Sequence, residues 1–368
     1  MENLIYNEEA IKLGYLKNED EVIFLFNPQI YQDKLGDREI KSVKLIGSFT
    51  AWKVKWDLKK ENDQLWTLEK KFEDINIPGN SGYPEFRFVI NDETYLGAPK
   101  ELSLENKFYD SHSGGYKLIL LEDKNKAKKI KEINEKIKDY KIEYSSREEL
   151  ANFREIKGGD LGEGVLYRSY HPYKKSRPDH PKEDERLTAV RELIKRKGIK
   201  SIINLSDTDE DIPTHAKYYK ELSHLGNIIF TNKGYNYDVF YYLTSNKEFA
   251  QLLGRIINFI IDTNNKAPFL IHCRIGTDRT GVLGAILAAT MGASWEEILK
   301  DYQESNRLGI GEYRDEKLLA YAFKGLVGDS FKEDLPKKVN RYLLQEVGLS
   351  EYELLKLKDN LSGKNTRG

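Results

Sequence analysis

Cysteine is almost missing from this chain: Cys273 is its single representative in 368 residues. That excludes an internal disulfide framework, and a lone thiol that must stay reactive implies a reducing compartment, so a cytoplasmic location is expected. Histidine is also scarce. The six histidines include no pair at the spacing that grips a metal from one helix face, and no metal or other cofactor is expected. Net charge is nearly absent too, 59 basic residues standing against 60 acidic ones, so no global field points to nucleic acid or an anionic membrane as partner. The longest apolar runs, near 252–261 and 282–291, are too short or interrupted to span a bilayer. The start, Met-Glu-Asn-Leu-Ile-Tyr-Asn-Glu-Glu, has neither the basic nor the apolar part of a signal peptide. Asp207-Thr-Asp209-Glu-Asp211 alternates like a calcium loop, but Ile212 and Tyr218 stand where such a loop needs glycine and glutamate.

The lone cysteine sits in the most informative stretch. Pro268-Phe-Leu-Ile-His272-Cys273-Arg-Ile-Gly276-Thr-Asp-Arg279-Thr280-Gly281 runs from an apolar strand through a loop into a helix expected from Thr280 to Met291. The loop reads His-Cys, five residues, Arg-Thr-Gly. It resembles the signature of the cysteine-dependent protein tyrosine phosphatase superfamily, in which a cysteine attacks a phosphate monoester.

The chemistry of such a loop follows from its parts. Successive amides from Arg274, Ile275, Gly276, Thr277, Asp278 and Arg279, curled at a helix start, would form an anion nest, and Arg279 would add a two-pronged guanidinium. The same positive field would favour the thiolate of Cys273, which is the nucleophilic form. Thr280 is placed for its hydroxyl to stabilise the sulfur when it leaves a phosphocysteine intermediate. His272 is expected to order the loop by hydrogen bonding, Gly276 to let backbone approach phosphate, and Gly281 with Gly284 to let the helix pack closely.

Residues 1–122 read differently. Short apolar strands, Glu21–Phe26, Ser42–Ile46, Gln64–Glu69, Glu85–Ile90 and Gly115–Leu121, alternate with polar turns and predict an all-β, Ig-like sandwich. Val43-Lys-Leu-Ile-Gly47-Ser-Phe49-Thr-Ala-Trp52, Trp66, Tyr83-Pro-Glu-Phe86-Arg-Phe88 and Asn91-Asp-Glu-Thr-Tyr95 resemble the early-set, glycogen- and starch-binding type of module. The resemblance makes Trp52 and Tyr95 candidate sugar platforms, since pyranose C–H bonds suit a π face. It departs around Gly47-Ser-Phe49, where an aspartate or asparagine is usual. The competing reading is that Phe49, Trp52, Phe86 and Phe88 pack the core.

Residues 123–143 are charged, with Ile130, Ile133, Ile137 and Tyr140 at helical spacing, and predict an amphipathic linker helix with a solvated face. Residues 144–361 alternate helix and strand, with a helix from Lys182 to Lys197, a strand from Ile199 to Leu205, another over Asn227–Thr231 and a helix from Asn246 to Asp262. That order predicts an α/β domain, a parallel sheet flanked by helices with its site at the carboxyl end of a strand. Residues 362–368 are expected to be a disordered tail. Asn152-Phe-Arg154, Leu166-Tyr-Arg168-Ser, the pair Asp278-Arg279, Asp301-Tyr302-Gln-Glu-Ser-Asn306 and Val339-Asn-Arg-Tyr342 resemble the bacterial tyrosine and lipid phosphatases with a Cys-x-x-Gly-Lys-Asp-Arg loop. Thr277 replaces their lysine. Arg274 is a candidate to restore a charge nearby.

A leaving oxygen needs a proton, and the family supplies it from an aspartate. Asp238, 35 residues before Cys273 in an aromatic loop, is the first candidate, Asp278 the second, and Asp207 with its neighbours the third. The expected activity is phosphomonoester hydrolysis, of protein tyrosine or dual-specificity type. Joining a glycan module to such a phosphatase resembles the plan of laforin and the plant starch phosphatases, so a phosphoglucan is an alternative substrate and glycan a candidate partner. Inositol phosphates or phosphoinositides are another alternative, and a phosphate-binding pseudophosphatase scaffold is the non-enzymatic one.

Overall fold

A computed structural model describes residues 6–111, 113–121, 126–138, 142–231, 235–308 and 310–364. The chain divides into two compact units, Met1–Asp139 with Gly311–Leu318, and Tyr140–Ile310 with Leu319–Gly368. Parts of the expected linker, residues 122–125 and 139–141, and the last four residues of the expected tail lie outside the described residues.

The first unit is mostly strand. Its strands are β1 (Tyr15–Lys17), β2 (Glu21–Phe26), β3 (Val43–Gly47), β4 (Trp56–Asp57), β5 (Lys59–Asn62), β6 (Leu65–Lys71), β7 (Glu85–Ile90), β8 (Thr94–Leu96), β9 (Lys107–Asp110) and β10 (Gly115–Ile119). They form two antiparallel sheets, ordered β1-β2-β6-β5 and β4-β3-β7-β10-β9, with β8 on β7. Alternation decides which residues turn inward. Phe24 and Phe26 of one sheet meet Phe86 and Phe88 of the other, with ring centroids 5.1 and 5.2 Å apart. All four rings are fully buried, and truncating one to alanine would cost about 3–5 kcal/mol. Short helices α1 (Glu8–Leu13), α2 (Gln32–Leu35) and α3 (Phe72–Ile75) border these strands.

Helix α4 (Ala127–Lys138) carries the expected isoleucine stripe. Ile130, Ile133 and Ile137 are buried with Phe108 of β9 and Ile119 of β10, so this face packs within the first unit. Gly311–Leu318 joins the same unit: the Asp315 N–H donates to the Asn80 carbonyl (2.9 Å), and Tyr313 lies edge-on to Phe108.

The second unit holds one mixed sheet. Its strands β11 (Arg154–Glu155), β12 (Leu166–Ser169), β13 (Ser201–Asn204), β14 (Ile228–Phe230) and β15 (Phe269–His272) are ordered β11-β12-β15-β13-β14. Only β11 is antiparallel to its neighbour. The central strands β13 and β15 are buried throughout, as parallel strands covered on both faces must be. The helices are α5 (Arg147–Leu150), α6 (Glu183–Arg196), α7 (Lys217–His224), α8 (Tyr237–Tyr242), α9 (Lys247–Ile261), α10 (Asp278–Thr290), α11 (Trp295–Arg307), α12 (Glu316–Val327), α13 (Leu335–Gln345) and α14 (Glu351–Leu361). Apart from Arg279, every α10 residue is buried, and its glycines make that possible. A methyl at Gly284 would stand 2.8 Å from Ile156, and one at Gly281 3.0 Å from Tyr302 of α11.

Candidate active site

Strand β15 ends at His272, and residues 273–277 turn the chain into α10. Every carbonyl of the turn is held. The Arg274 carbonyl accepts from the His171 N–H (3.2 Å) and Ser176 Oγ (3.3 Å), and the Ile275 carbonyl from Asn152 Nδ2 (2.9 Å). The Gly276 carbonyl accepts from Arg168 Nη2 (2.7 Å), and the Thr277 carbonyl from that same nitrogen (3.3 Å) and the Gly281 N–H (3.0 Å). The N–H groups of Arg274, Ile275, Gly276 and Thr277, by contrast, donate to nothing among the described residues. Peptide geometry sends each N–H opposite its carbonyl, so anchoring the carbonyls on one side presents the amides on the other, which is an anion nest.

Gly276 has a second reason to be glycine. Its φ is +73°, and a Cβ there would stand 2.2 Å from the Ser169 carbonyl at the end of β12. The requirement comes from the strand behind the loop as well as from any ligand in front. Cys273 lies at the base of the turn, 2% exposed. The Thr280 and Thr277 hydroxyls are buried with no hydrogen-bond partner among the described residues. Buried hydroxyls ordinarily find partners, so two unpartnered ones beside four unpartnered amides mark a place prepared for polar atoms.

Arg279 reaches across the site. Its Nη1 donates to the Leu205 carbonyl just past β13 (2.6 Å) and to the Tyr235 carbonyl just before α8 (3.0 Å). Those bonds leave Nε and Nη2 without partners among the described residues, the two prongs that a phosphate would take. They also bring α8 to the loop. Asp238, in the first turn of α8, is buried, and Tyr241 Oη of that helix donates to Asp278 Oδ1 (3.3 Å). Lys233 and Gly234, which precede this segment, lie outside the described residues.

Asp207 has a different setting. Its carboxylate meets the ring of His171 and the ammonium of Lys174, and accepts from Ser206 Oγ (2.8 Å). Burial alone would raise its pKa, but these bonds prevail and hold it well below the carboxylate range. His171 Nδ1 accepts from the Tyr173 and Lys174 N–H groups (3.1 and 2.9 Å), so the proton sits on Nε2, facing Asp207. Burial lowers its pKa to about 4 against the pull of that carboxylate.

His272 is neutral for similar reasons. Burial first, then repulsion from His171, pushes its pKa down to about 3. Asn204 Nδ2 donates to Tyr219 Oη (3.0 Å), whose proton then serves His272 Nε2 (2.8 Å), leaving Nδ1–H for the Cys273 carbonyl (3.4 Å). The chain of donors runs from β13 to the cysteine. Arg274, the expected substitute for a missing lysine, bonds Ser176 Oγ (3.1 Å) and the Lys175 carbonyl (2.8 Å), so no carboxylate within ion-pair distance among the described residues neutralises its charge.

The expected residues Cys273, Arg274, Ile275, Gly276 and Thr277 therefore share one turn, Asp278, Arg279 and Thr280 open the helix that follows it, and Asp238 belongs to the helix that Arg279 and Tyr241 tie to it. Trp52 and Tyr95 belong to the first unit. The Lys117 ammonium covers one face of Trp52 at 4.7 Å, and Tyr95 is half exposed with the Lys55 ammonium 5.3 Å from its ring centre. Sequence reasoning gave no role to Asn152, Arg168, His171 or Asp301. Three of them stood inside quoted motifs, and the signal available was a charged or amide residue placed where a buried strand or helix was expected.

A model of the tyrosine phosphatase family matches residues 146–363. The chain belongs to that family. Its members work through a cysteine, which makes this a cysteine-based phosphatase. Among solved structures the chain is similar to the core catalytic domain of the PP-IP phosphatase SIW14 from S. cerevisiae in complex with citrate, at 18% identity over 52% of this chain and 98% of that one, with a TM-score of 0.27. A second structure of the Siw14 catalytic core gives 19% identity, 52% and 96% coverage, and 0.27. No curated protein matches the chain. Among the described residues no cluster of three or more histidine, cysteine or acidic side chains could hold a metal, and no helix is long and apolar enough to cross a membrane.

Proposed function

We propose that this protein hydrolyses phosphate monoesters through a phosphocysteine on Cys273, with phosphorylated protein side chains, phosphotyrosine first, as substrate. The observation that carries the reading is the one-sided loop, in which the carbonyls of residues 273–277 are anchored and the amides of residues 274–277 are unpartnered among the described residues. The phosphoryl oxygens occupy those amides and the free prongs of Arg279, and the thiolate attacks phosphorus in line with the ester oxygen. As the S–P bond forms, the P–O bond breaks and the departing oxygen takes a proton from an aspartate. Water then attacks phosphorus, returning a proton to that aspartate, while the sulfur leaves as thiolate with Thr280 Oγ1 donating to it.

Asp238 is our first choice for the proton donor and Asp278 the second. Asp207, held ionised between His171 and Lys174, has no proton to give near neutral pH.

A second reading, an inositol phosphate or phosphoinositide, is favoured by one feature: the Arg274 guanidinium at the loop carries a charge that no carboxylate offsets among the described residues. A phosphoglucan reading rests on the first unit. We propose that unit as an Ig-like sandwich of the early-set type with Trp52 and Tyr95 meeting glycan, and we propose domain limits at 1–122, a helical connection over 123–143 and a phosphatase domain over 144–361. The cytoplasmic location remains part of the proposal.

The test is phosphate release from phosphotyrosine peptides, phosphoserine peptides, inositol phosphates, phosphoinositides and phosphoglucan, with Cys273→Ser as the blank. Highest kcat/KM on phosphotyrosine peptides supports the first reading. Preference for inositol compounds that disappears in Arg274→Ala replaces it with the second, and no release from any of them returns the scaffold reading.

A further inference from the structure

The amide nest has a frame of its own, built from residues distant in the chain. Arg168 of β12 is completely buried and donates through Nη2 to two successive loop carbonyls, Gly276 and Thr277. Its Nη1 pairs with Asp301 of α11. The other Asp301 oxygen accepts from Arg154 Nε (2.7 Å), and Arg154 Nη2 donates to the Asp301 carbonyl (2.7 Å) and to Ser305 Oγ (3.1 Å). Asn152, buried and at φ 47°, holds the Ile275 carbonyl and also bonds Arg154 through its Oδ1. Beside this frame, a Cβ at Gly281 would stand 3.0 Å from the Tyr302 ring and in ordinary contact, 3.4 Å, with Arg168 Nη2.

This frame answers a physical difficulty. Parallel amides with no ligand repel one another, and the ordinary relief is a peptide flip that turns a carbonyl into the nest. Bonding each carbonyl from behind opposes the flip, so the nest exists before any phosphate arrives. We propose that Arg168, Asp301 and Asn152 are positioning residues that set the phosphate affinity of the loop without touching substrate. The proposal rests on the reading of Cys273 as a phosphate-site nucleophile.

Arg168 also places a buried cation behind the loop, and Asp301 fixes where that cation points. Lysine at 168 cannot replace it. One ammonium lacks the planar fork needed to serve a carboxylate on one prong and two carbonyls on the other.

The experiment uses the full chain and three variants, Asp301→Asn, Arg168→Lys and Asn152→Asp. The last keeps a side chain suited to a left-handed backbone while replacing the amide donor by an acceptor. Three quantities are read: kcat/KM on p-nitrophenyl phosphate, inhibition by inorganic phosphate, and the protection that inorganic phosphate gives Cys273 against alkylation by iodoacetamide. Each variant is expected to lose about tenfold to a hundredfold in kcat/KM, the range seen when groups that orient ligands are removed. Phosphate inhibition and phosphate protection of Cys273 should each weaken about tenfold. Melting temperature serves as the folding control, and Asn152→Asp keeps the idea testable where Asp301→Asn fails to fold. Variants that melt earlier yet keep wild-type phosphate inhibition and phosphate protection of Cys273 overturn the proposal, and so does full activity in Arg168→Lys. If the wild type itself hydrolyses nothing, the phosphatase reading falls, while a phosphate-protected Cys273 whose protection weakens in the variants still supports the frame.

Discussion

Two buried polar systems in this molecule make a useful contrast. In the first unit Glu85 is fully buried and completely engaged: Lys117 Nζ stands 3.0 Å from one oxygen, the Ser81 N–H 2.6 Å from the other, and Ser48 Oγ takes the Glu85 N–H at 3.1 Å. The Trp52 ring lies over the same ammonium. In the second unit the loop around Cys273 is mostly buried, yet four amides and two threonine hydroxyls are unpartnered among the described residues while all the neighbouring carbonyls are held. A closed network specifies a fold. An open one, kept open by a frame, specifies a binding site.

The largest effect that could break this contrast is at the nucleophile. Cys273→Ser should lower kcat on p-nitrophenyl phosphate by on the order of 10⁴-fold or more with little change in melting temperature, read by steady-state kinetics and calorimetry. The proton donor comes next. Asp238→Ala should cost about 10²–10⁴-fold on alkyl phosphates and much less on p-nitrophenyl phosphate, whose leaving group needs no proton. The same pattern in Asp278→Ala, with Asp238→Ala unaffected, would move the role to Asp278.

The closed network should respond in the opposite manner. Glu85→Ala leaves the Lys117 ammonium buried without its carboxylate and should destabilise the first unit by about 3–5 kcal/mol in denaturant unfolding, while the rate per folded molecule stays at the wild-type value. A smaller, graded effect comes from the two buried histidines. Both pKa values, about 4 for His171 and about 3 for His272, lie below the 6.5 of the unfolded chain, so unfolded protein binds more protons between those limits. Stability is therefore complete above about pH 6.5 and falls as pH drops toward 4, with a slope that two protons set at about 2.7 kcal/mol per pH unit. Denaturant midpoints measured across that window should show it. A flat profile would mean that both rings take up their protons in the folded protein as they do in the unfolded chain, and half that slope would mean that one of them does.

The loop was legible because its signature is contiguous: Cys273, Gly276, Arg279, Thr280 and Gly281 occur within nine residues, and local pattern is what sequence displays best. The β strands at Glu21–Phe26 and Glu85–Ile90, and the helix before β15, were legible from their apolar periods. Strands β1, β4, β5, β8 and β9 were not. They are two to four residues long and mostly without alternation, so only pairing with a neighbour defines them. Helix α8 looks like a loop in the sequence because its aromatic residues favour no helix by propensity; Tyr237 and Tyr241, one turn apart, place their rings 6.4 Å from each other instead. The frame behind the nest was hidden for a stronger reason. Asn152, Arg168 and Asp301 are separated by up to 149 residues, and nothing local says that a buried arginine will meet two carbonyls of a distant loop. Gly276 illustrates the same limit, since the Ser169 carbonyl that helps demand it comes from another strand.

The most direct test of the central claim is chemical trapping of the intermediate. Wild-type protein mixed with ³²P-labelled aryl phosphate and quenched in acid within milliseconds should carry label on the peptide containing Cys273, labile as a thiophosphate is, and Cys273→Ser should carry none. Full turnover without any label on Cys273, or turnover that survives Cys273→Ser, would contradict the account.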